Sequence, residues 1–328
     1  MNVHVLIFSR DRALQLDATL RSFFRCAQGM EMTSITVMYR ASNARFSLQY
    51  ERLIREYPKV NFIKEFKFRE DLIDILAKKI ACPKLQDQFS LFAQLNGTRL
   101  WGRYSPTEVL IRPLMRLRMQ LGRFPMDVSR QEDHWLISVD DNLFVRPFSL
   151  KDIIQALNNT NDAIGFSLRL GENTQYCYMK GLPQKPPQFE RQTETNILAF
   201  NWVTAEYDFG YPLEISSSIY RSSLLLPLIS SLYFNTPNSL ESKMASMSKW
   251  FAKRYPKLLC YSTSVSFCNP LNKVQVDRTR NRSGNQLTYS IEELANLFDE
   301  GYRIDLSPFS GFIPDACHQE VDLTFYKP

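Results

Sequence analysis

Over the first 80 residues, apolar and polar positions follow three repeats of a strand and then a helix. Nearly continuous apolar runs predict buried strands at Val3 to Phe8, Ile35 to Tyr39 and Val60 to Phe66. After each strand, apolar residues recur every three or four positions, from Leu16 to Ala27, from Phe46 to Tyr57 and from Leu72 to Ile80. Strands that alternate with helices form parallel sheets with right-handed crossovers. The pattern therefore predicts an α/β fold with a doubly wound, mostly parallel sheet.

The rest of the chain predicts further elements. Periodicity fades between Gln86 and Ser105, which indicates an excursion or a lid. The other predictions are a helix from Val109 to Leu121, a helix capped by Ser149, a strand from Asp162 to Leu170, a buried helix within Leu224 to Phe234, a helix opened by Asn238 to Glu241, and a helix that begins at Ser290 and stops at Gly301.

One stretch, His134 to Asn142, organises these elements. The apolar strand Trp135 to Val139 runs directly into the carboxylates of Asp140 and Asp141. In open α/β sheets, ligands bind outside the carboxyl ends of the strands. Adjacent like charges repel, and a divalent metal carrying phosphate oxygens would relieve that repulsion. A polar turn after the strand is the alternative interpretation.

Composition narrows the possible partners. The 328 residues carry a net charge of +6, which suits a phosphate-bearing ligand or an anionic surface but is too dispersed for nucleic acid. The six cysteines form no C-x-x-C pair, no signal peptide is visible, and no apolar run approaches the roughly 20 residues of a membrane span. We therefore expect a cytoplasmic protein. The basic helix near Trp250 could touch the inner face of a membrane, and a solvated surface helix is the alternative.

Two motifs in these positions resemble a known family. The turn Phe8-Ser9-Arg10-Asp11-Arg12 is similar to the opening of nucleotide-sugar-dependent glycosyltransferases of the A-type fold, in particular the family-two-like group. Val139-Asp140-Asp141-Asn142 occupies the place of that family's D-x-D motif, and the segment from Asn272 to Gly301 resembles a bacterial subgroup. The resemblance implies a single Rossmann-like catalytic domain, with residues 1–150 binding nucleotide sugar and metal. Residues 151–328 would form the acceptor-binding half, with a carboxyl-terminal extension.

The resemblance also implies roles for individual residues. Ser9, Arg10, Arg12 and Asp71 would bind the nucleotide, and Asp140 would hold the ribose or a metal-bound water. Asp141 and His318 would ligate Mn²⁺ or Mg²⁺, with Asp140 as a further ligand. Asn142 stands where the motif would have a second acid, so the choice of metal ligand between Asp140 and Asp141 stays open.

The implied reaction moves a sugar from a nucleotide diphosphate sugar to a hydroxyl acceptor, such as a glycan or a lipid-linked saccharide. Inversion at the anomeric carbon needs an acceptor-side base, for which Glu214 and Asp208 are the candidates, with Glu206 behind them. Retention stays open. Aromatic faces at Trp202, Tyr207 and Tyr211 would suit stacking on sugar rings, and a place in the core is the alternative.

Two other functions compete with this interpretation. A nucleotidyltransferase shares the parallel sheet and paired acids, but it usually carries a glycine-rich phosphate loop, and Phe8 to Leu16 contains no glycine. A non-catalytic nucleotide-sugar-binding protein on a degenerate transferase fold is the second alternative, because the D-x-D motif is imperfect.

Overall fold

A computed structural model describes residues 2–79, 132–191, 196–274, 282 and 289–328. The predicted excursion and the predicted helix from Val109 to Leu121 lie outside these residues. The strands are β1 (Val3–Arg10), β2 (Ala27–Gln28), β3 (Thr33–Arg40), β4 (Val60–Lys64), β5 (His134–Val139), β6 (Asn142–Phe144), β7 (Phe148–Ser149), β8 (Ala163–Ser167), β9 (Tyr176–Cys177), β10 (Leu182–Pro183), β11 (Phe189–Arg191), β12 (Ile197–Asn201), β13 (Ser218–Arg221), β14 (Lys257–Tyr261), β15 (Ser266–Cys268), β16 (Arg303–Ile304) and β17 (Phe325–Tyr326). The helices are α1 (Ala13–Cys26), α2 (Ala44–Glu56), α3 (Phe68–Ala77), α4 (Leu150–Asn159), α5 (Ser222–Ser230), α6 (Pro237–Phe251) and α7 (Ile291–Asp299).

Within the described residues, the central sheet has nine strands in the order β11-β12-β14-β8-β13-β5-β1-β3-β4. The four strands β5, β1, β3 and β4 are parallel, and β8 and β14 are parallel to each other. The strand β13 runs antiparallel between β5 and β8, and β12 runs antiparallel to both β14 and β11. The predicted α/β fold with a mostly parallel sheet is therefore confirmed.

Helices cover both faces of this sheet, as a doubly wound fold requires. Alternate residues of β1 point to opposite sides: Val5 and Ile7 join one core cluster, and Leu6 and Phe8 join the other. The first cluster includes apolar residues of α1, α2, α4 and α7. The second cluster includes apolar residues of α3, α5 and α6. The predicted strands β1 and β3 are almost continuously buried because helices cover both of their faces, whereas only Val60 of the edge strand β4 is fully buried.

The carboxyl-terminal segment packs against the amino-terminal part of the chain. Arg303 lies buried with its guanidinium 2.8 Å from the Glu56 carboxylate at the end of α2. Arg45 reaches the Asp299 carboxylate at 2.6 Å, and Gln49 donates to Asp299 at 2.7 Å. Strands from both predicted halves share one sheet, and the division of roles at residue 150 stays a prediction.

Two of the predicted helix starts are confirmed, and one is wrong. Ser149 and Ser290 cap α4 and α7 through their hydroxyl oxygens, as predicted. Asn238 does not open α6, because Thr236 is the N-cap and exchanges hydrogen bonds with Ser239 in a capping box. The helix therefore begins earlier than predicted, and Glu241 lies inside it instead of reaching back to the cap.

Candidate functional site

A cavity of about 460 Å³ lies where the parallel strands end. Register explains the convergence: Ser9 of β1 pairs with Tyr39 of β3, and Phe8 pairs with Val139 of β5, so the polar residues that follow these strands meet at one edge. The lining residues from the strand ends are Ser9, Arg10, Arg12, Arg40, Glu65, Asp140, Asp141, Ser167 and Arg169. The opposite wall contains Tyr207, Asp208, Tyr211, Glu214, Glu241 and residues 235–238. The cavity thus joins the strand-end turns to the start of α6.

The aspartate pair after β5 is held by an arginine from the turn after β1. The Arg12 Nη1 atom donates to Asp140 Oδ1 at 3.0 Å and approaches Asp141 Oδ2 at 3.3 Å. The other side of the guanidinium donates to the side chain of Asn272 at 2.8 Å and to its backbone carbonyl. Asp140 also accepts from the backbone N–H of Arg10 at 3.1 Å. The polar turn is therefore a bonded ion cluster that ties β1, β5 and residue 272 together.

The predicted metal ligands do not form a ligand set. Among the described residues, no group of three or more His, Cys, Asp or Glu side chains is arranged to hold a metal ion. The guanidinium of Arg12 already lies between the two carboxylates, where the predicted cation would be. Asn142, which replaces the second acid of the motif, turns inward: its amide donates to Ser138 and Ser217, and its oxygen accepts from Cys268. Within the part of the chain that the structure describes, these residues therefore do not fit a divalent metal.

Burial changes the acidity of Asp141. Burial is the largest cause that raises the pKa of Asp141 to about 6; Arg12 opposes the rise, and the negative charge of Asp140 adds to it. At neutral pH the carboxyl is therefore mostly ionised, and the guanidinium balances part of the charge.

A second buried ion cluster lies deeper in the cavity. The Arg169 Nη2 atom lies 2.9 Å from Glu214 Oε2, and both side chains are almost fully buried. The other hydrogen bonds to the Glu214 carboxylate come from the backbone N–H of Ser216 and the hydroxyl of Ser218. Every oxygen of this predicted base already accepts a bond from a buried donor.

His318 belongs to this deeper cluster and not to the aspartate pair. Its Nε2 atom lies 3.3 Å from Arg169 Nη1, and Nδ1 has no hydrogen-bond partner in the described structure. Burial, with Arg169 nearby, lowers the pKa of His318 to about 3, so the ring is neutral at pH 7. The tail thus brings His318 to the cavity wall, but beside a cation.

Of the other predicted carboxylates, Asp208 lines the cavity and Glu206 does not. The Asp208 carboxylate accepts from Gln184 Nε2 at 3.1 Å and contacts Cys177 Sγ at 3.6 Å. Burial raises the pKa of Asp208 above its ordinary value. Glu206 is exposed.

The predicted nucleotide residues separate into two groups. Ser9, Arg10 and Arg12 line the cavity, and the Ser9 hydroxyl shares a hydrogen bond of 2.6 Å with the Tyr50 hydroxyl. Asp71 is not among the lining residues. Its carboxylate accepts from the backbone N–H groups of Phe66 and Lys67 at 2.6 and 2.8 Å, which stabilises the start of α3. Glu65, just after β4, lies in the cavity wall instead and pairs with Arg40 at 3.3 Å.

The aromatic predictions also divide. Trp202 is buried and donates from Nε1 to the carbonyl of Tyr255 at 2.6 Å, so it belongs to the core. Tyr207 and Tyr211 are 41% and 40% exposed and line the cavity, where their rings can contact a ligand. Trp250 packs against the core, and no helix in the part of the chain that the structure describes could cross a bilayer. Membrane contact through α6 and a cytoplasmic location stay predictions.

Backbone strain concentrates at this cavity. Three non-glycine residues in the described ranges have positive φ: Asp11 at 54°, Tyr207 at 45° and Ser217 at 92°. Tyr207 lines the cavity, and Asp11 and Ser217 lie between lining residues. Such strain persists where surrounding contacts enforce it, and it clusters at binding sites. At Asp11 the contact is a hydrogen bond of 2.7 Å from the backbone of Ser42.

Sequence patterns missed Glu65, Arg169 and Glu241 as cavity residues. Glu65 and Arg169 lie inside the predicted strands Val60 to Phe66 and Asp162 to Leu170. The observed strands β4 and β8 are shorter, so both residues follow a strand end, and the predicted strand bounds hid this position. The sequence pattern predicts a capping role for Glu241, and for this reason it does not indicate that Glu241 lines the cavity.

Comparison with known proteins finds similarity to a curated glycosyltransferase. No family model matches the chain. The chain is 24% identical over 322 residues to the bifunctional glycosyltransferase pgtA of Dictyostelium discoideum, covering 90% of this chain and 35% of the relative. The chain thus spans about a third of the length of that protein.

Solved structures are similar only at a low level. TarS of S. aureus has a TM-score of 0.39 and 11% identity, covering 80% of this chain and 35% of TarS. The structure of TarS 1-349 in complex with UDP-GlcNAc has a TM-score of 0.37 and 13% identity, covering 80% of this chain and 56% of that chain. Mouse xyloside xylosyltransferase 1 has a TM-score of 0.29 and 13% identity, covering 78% and 76%.

Proposed function

We propose that this chain is a glycosyltransferase that moves a sugar from a nucleotide diphosphate sugar to a hydroxyl acceptor. The observation that carries the proposal is the cavity, which joins the strand-end turns to a wall of carboxylates and exposed tyrosines. The similarity to a relative named as a glycosyltransferase supports it. The bacterial, family-two-like assignment belongs to the same proposal.

The donor would lie at the strand ends. The guanidinium groups of Arg10 and Arg40 place positive charge in the cavity lining at the strand ends, where a diphosphate would lie. Glu65 follows β4 and lies in the cavity wall, where Asp71 was expected. From this position its carboxylate can accept hydrogen bonds from the nucleobase of the donor. Arg12 already supplies a cation to the carboxylates of Asp140 and Asp141, so the proposed transfer does not need the divalent metal that the resemblance implies.

The acceptor would lie against the opposite wall. Tyr207 and Tyr211 can pack on a sugar ring, and the carboxylates there can accept a proton from the attacking hydroxyl. Glu214 and Asp208, the residues expected from the sequence, both lie in this wall. A single displacement with one base inverts the anomeric carbon, and this is the stereochemistry that we propose. A saccharide or lipid-linked saccharide is the proposed acceptor class.

A thermal-shift series tests the donor half of the proposal. UDP, GDP, CDP, ADP and dTDP are each added to the wild type and to Asp140→Asn, once with Mn²⁺ and once with EDTA. We expect one diphosphate to raise the melting temperature of the wild type more than that of the variant, because a ligand that binds only the folded state stabilises it. No shift with any nucleotide in either condition would overturn the proposal.

A shift that requires Mn²⁺ would instead restore the metal site that the geometry disfavours. Binding without turnover of any nucleotide sugar would favour the non-catalytic binding protein. Release of pyrophosphate from a nucleoside triphosphate would favour the nucleotidyltransferase.

A further inference from the structure

Three carboxylates face the acceptor side of the cavity, and they differ in how fully their oxygens are bonded. Glu214 accepts from Arg169, from the backbone of Ser216 and from the hydroxyl of Ser218. Protonation of Glu214 would break a buried ion pair with Arg169, which is costly in a low-dielectric interior. Glu214 is therefore suited to hold Arg169 in place and not to take up a proton.

Asp208 is bonded on both oxygens as well. Gln184 donates to one oxygen, and the thiol of Cys177 contacts the other at 3.6 Å. The amide of Gln184 also accepts from the backbone N–H of Asp208 at 3.1 Å, so the two side chains lock each other. This carboxylate is positioned by the loop around β9 and β10.

Of the three carboxylates, that of Glu241 has the fewest hydrogen-bond and ion-pair partners within the part of the chain that the structure describes. It lies in the second turn of α6, half-buried, with its carboxyl in the cavity wall. Among the described residues, its carboxylate forms no ion pair, and the backbone of Ile215 nearby acts to lower its pKa. The charged or titratable groups that face it are Glu214, Arg169, Tyr211 and Tyr220. Arg169 is already paired with Glu214, so Glu241 keeps an oxygen available for a ligand.

The acidity of Glu241 agrees with this geometry. Burial, with the negative charge of Glu214 nearby, raises the pKa of Glu241 to about 7. A general base works best when its pKa lies near the working pH.

We infer that Glu241 is the catalytic base of the transfer, a step that rests on the proposed function. The acceptor hydroxyl oxygen forms a bond to the anomeric carbon of the donor, and the bond from that carbon to the phosphate oxygen breaks. The electron pair of the broken bond leaves on the nucleoside diphosphate, and the hydroxyl proton moves to the Glu241 carboxylate. Glu214 is a positioning residue that holds the Arg169 guanidinium in place, and Asp208 holds the loop around β9 and β10 in place.

The test uses the full chain and measures nucleotide release from UDP- and GDP-sugars with p-nitrophenyl glycosides as acceptors. The variants are Glu241→Gln, which keeps the shape of the side chain, Glu241→Asp, and the matched control Glu206→Gln outside the cavity. For the wild type we expect kcat/KM to rise with pH to a plateau, with an apparent pKa near 7. Glu241→Gln should lose at least about 100-fold in kcat and lack that rise, because a positioned base contributes roughly 10²–10⁴-fold.

The same variants must keep the nucleotide-induced thermal shift, which separates base function from folding. Partial recovery in Glu241→Asp and wild-type rates in Glu206→Gln would support the assignment. If Glu241→Gln turns over at a rate within threefold of the wild type and keeps the pH profile, the inference is overturned while the proposed function stands. If the wild type itself binds no nucleoside diphosphate, both fail together.

Discussion

Both walls of the cavity carry carboxylates, but these carboxylates differ in whether an arginine pairs with them. On the strand-end wall, Asp140 and Asp141 share the guanidinium of Arg12. On the opposite wall, Glu214 pairs with Arg169 from the strand-end side, and Glu241 forms no ion pair among the described residues. The paired carboxylates hold elements together and place cations, whereas the unpaired one is available for proton transfer. Partner and burial, not residue type, decide the role of each acid.

The largest expected effect comes from Arg12, which pairs with both carboxylates of the strand-end wall. Arg12→Ala leaves two largely buried carboxylates without their cation, so we expect a loss of about 3–5 kcal/mol in the free energy of unfolding. Urea titration measures it, with Arg10→Ala as the control, because that guanidinium is 36% exposed and we expect it to cost less than about 1 kcal/mol. Equal costs for the two variants would show that the strand-end cluster does not hold in solution.

Removing the charge of Glu214 gives the next largest effect. Glu214→Gln keeps the volume but breaks the ion pair with Arg169, and we expect a loss of about 2–3 kcal/mol. Chemical denaturation with Asp208→Asn alongside measures it, and the second variant should cost less because its partners are neutral. A Glu214→Gln protein with unchanged stability and no activity would instead make Glu214 the base.

The raised pKa of Glu241 predicts a pH-dependent stability. Its pKa is about 7 in the folded state and 4.5 ordinarily, so the folded state binds the extra proton between these values. The wild type should therefore lose stability as pH rises from about 4.5 to 7, and Glu241→Gln should lack this loss. The variant should gain about 1–3 kcal/mol relative to the wild type between pH 4.5 and 8.

Unfolding curves at several pH values measure that difference. Glu206→Gln, which alters an exposed carboxylate outside the cavity, should follow the wild-type profile. Parallel profiles for Glu241→Gln and the wild type would contradict the electrostatic difference between the two walls.

The smallest expected effect concerns Asp71, and it distinguishes a role in helix capping from a role in nucleotide binding. Asp71→Ala removes the acceptor for the backbone N–H groups of Phe66 and Lys67, and we expect a loss of about 1 kcal/mol. The nucleotide-induced thermal shift should be unchanged, whereas Glu65→Gln should reduce it. A loss of nucleotide binding in Asp71→Ala would return that residue to the site.

Apolar periodicity predicted the strands and helices around the sheet, because continuous burial leaves a pattern in the chain itself. The meeting of Ser9, Arg12, Asp140 and Asp141 at one edge also followed from strand order. Which partner each acid takes did not follow, because Arg12 and Asp140 are 128 positions apart and Asn272 is farther still. The role of Glu241 depended on where α6 begins, since the cap moved to Thr236.

We propose that the strand-end wall binds the donor and that the opposite wall takes the proton. One experiment tests both parts together: calorimetric titration of the stabilising nucleoside diphosphate into the wild type, Asp140→Asn and Glu241→Gln, beside turnover of the matching nucleotide sugar. We expect weakened binding in Asp140→Asn, and in Glu241→Gln wild-type binding with turnover reduced at least about 100-fold. Weakened binding in Glu241→Gln with normal affinity in Asp140→Asn would contradict it.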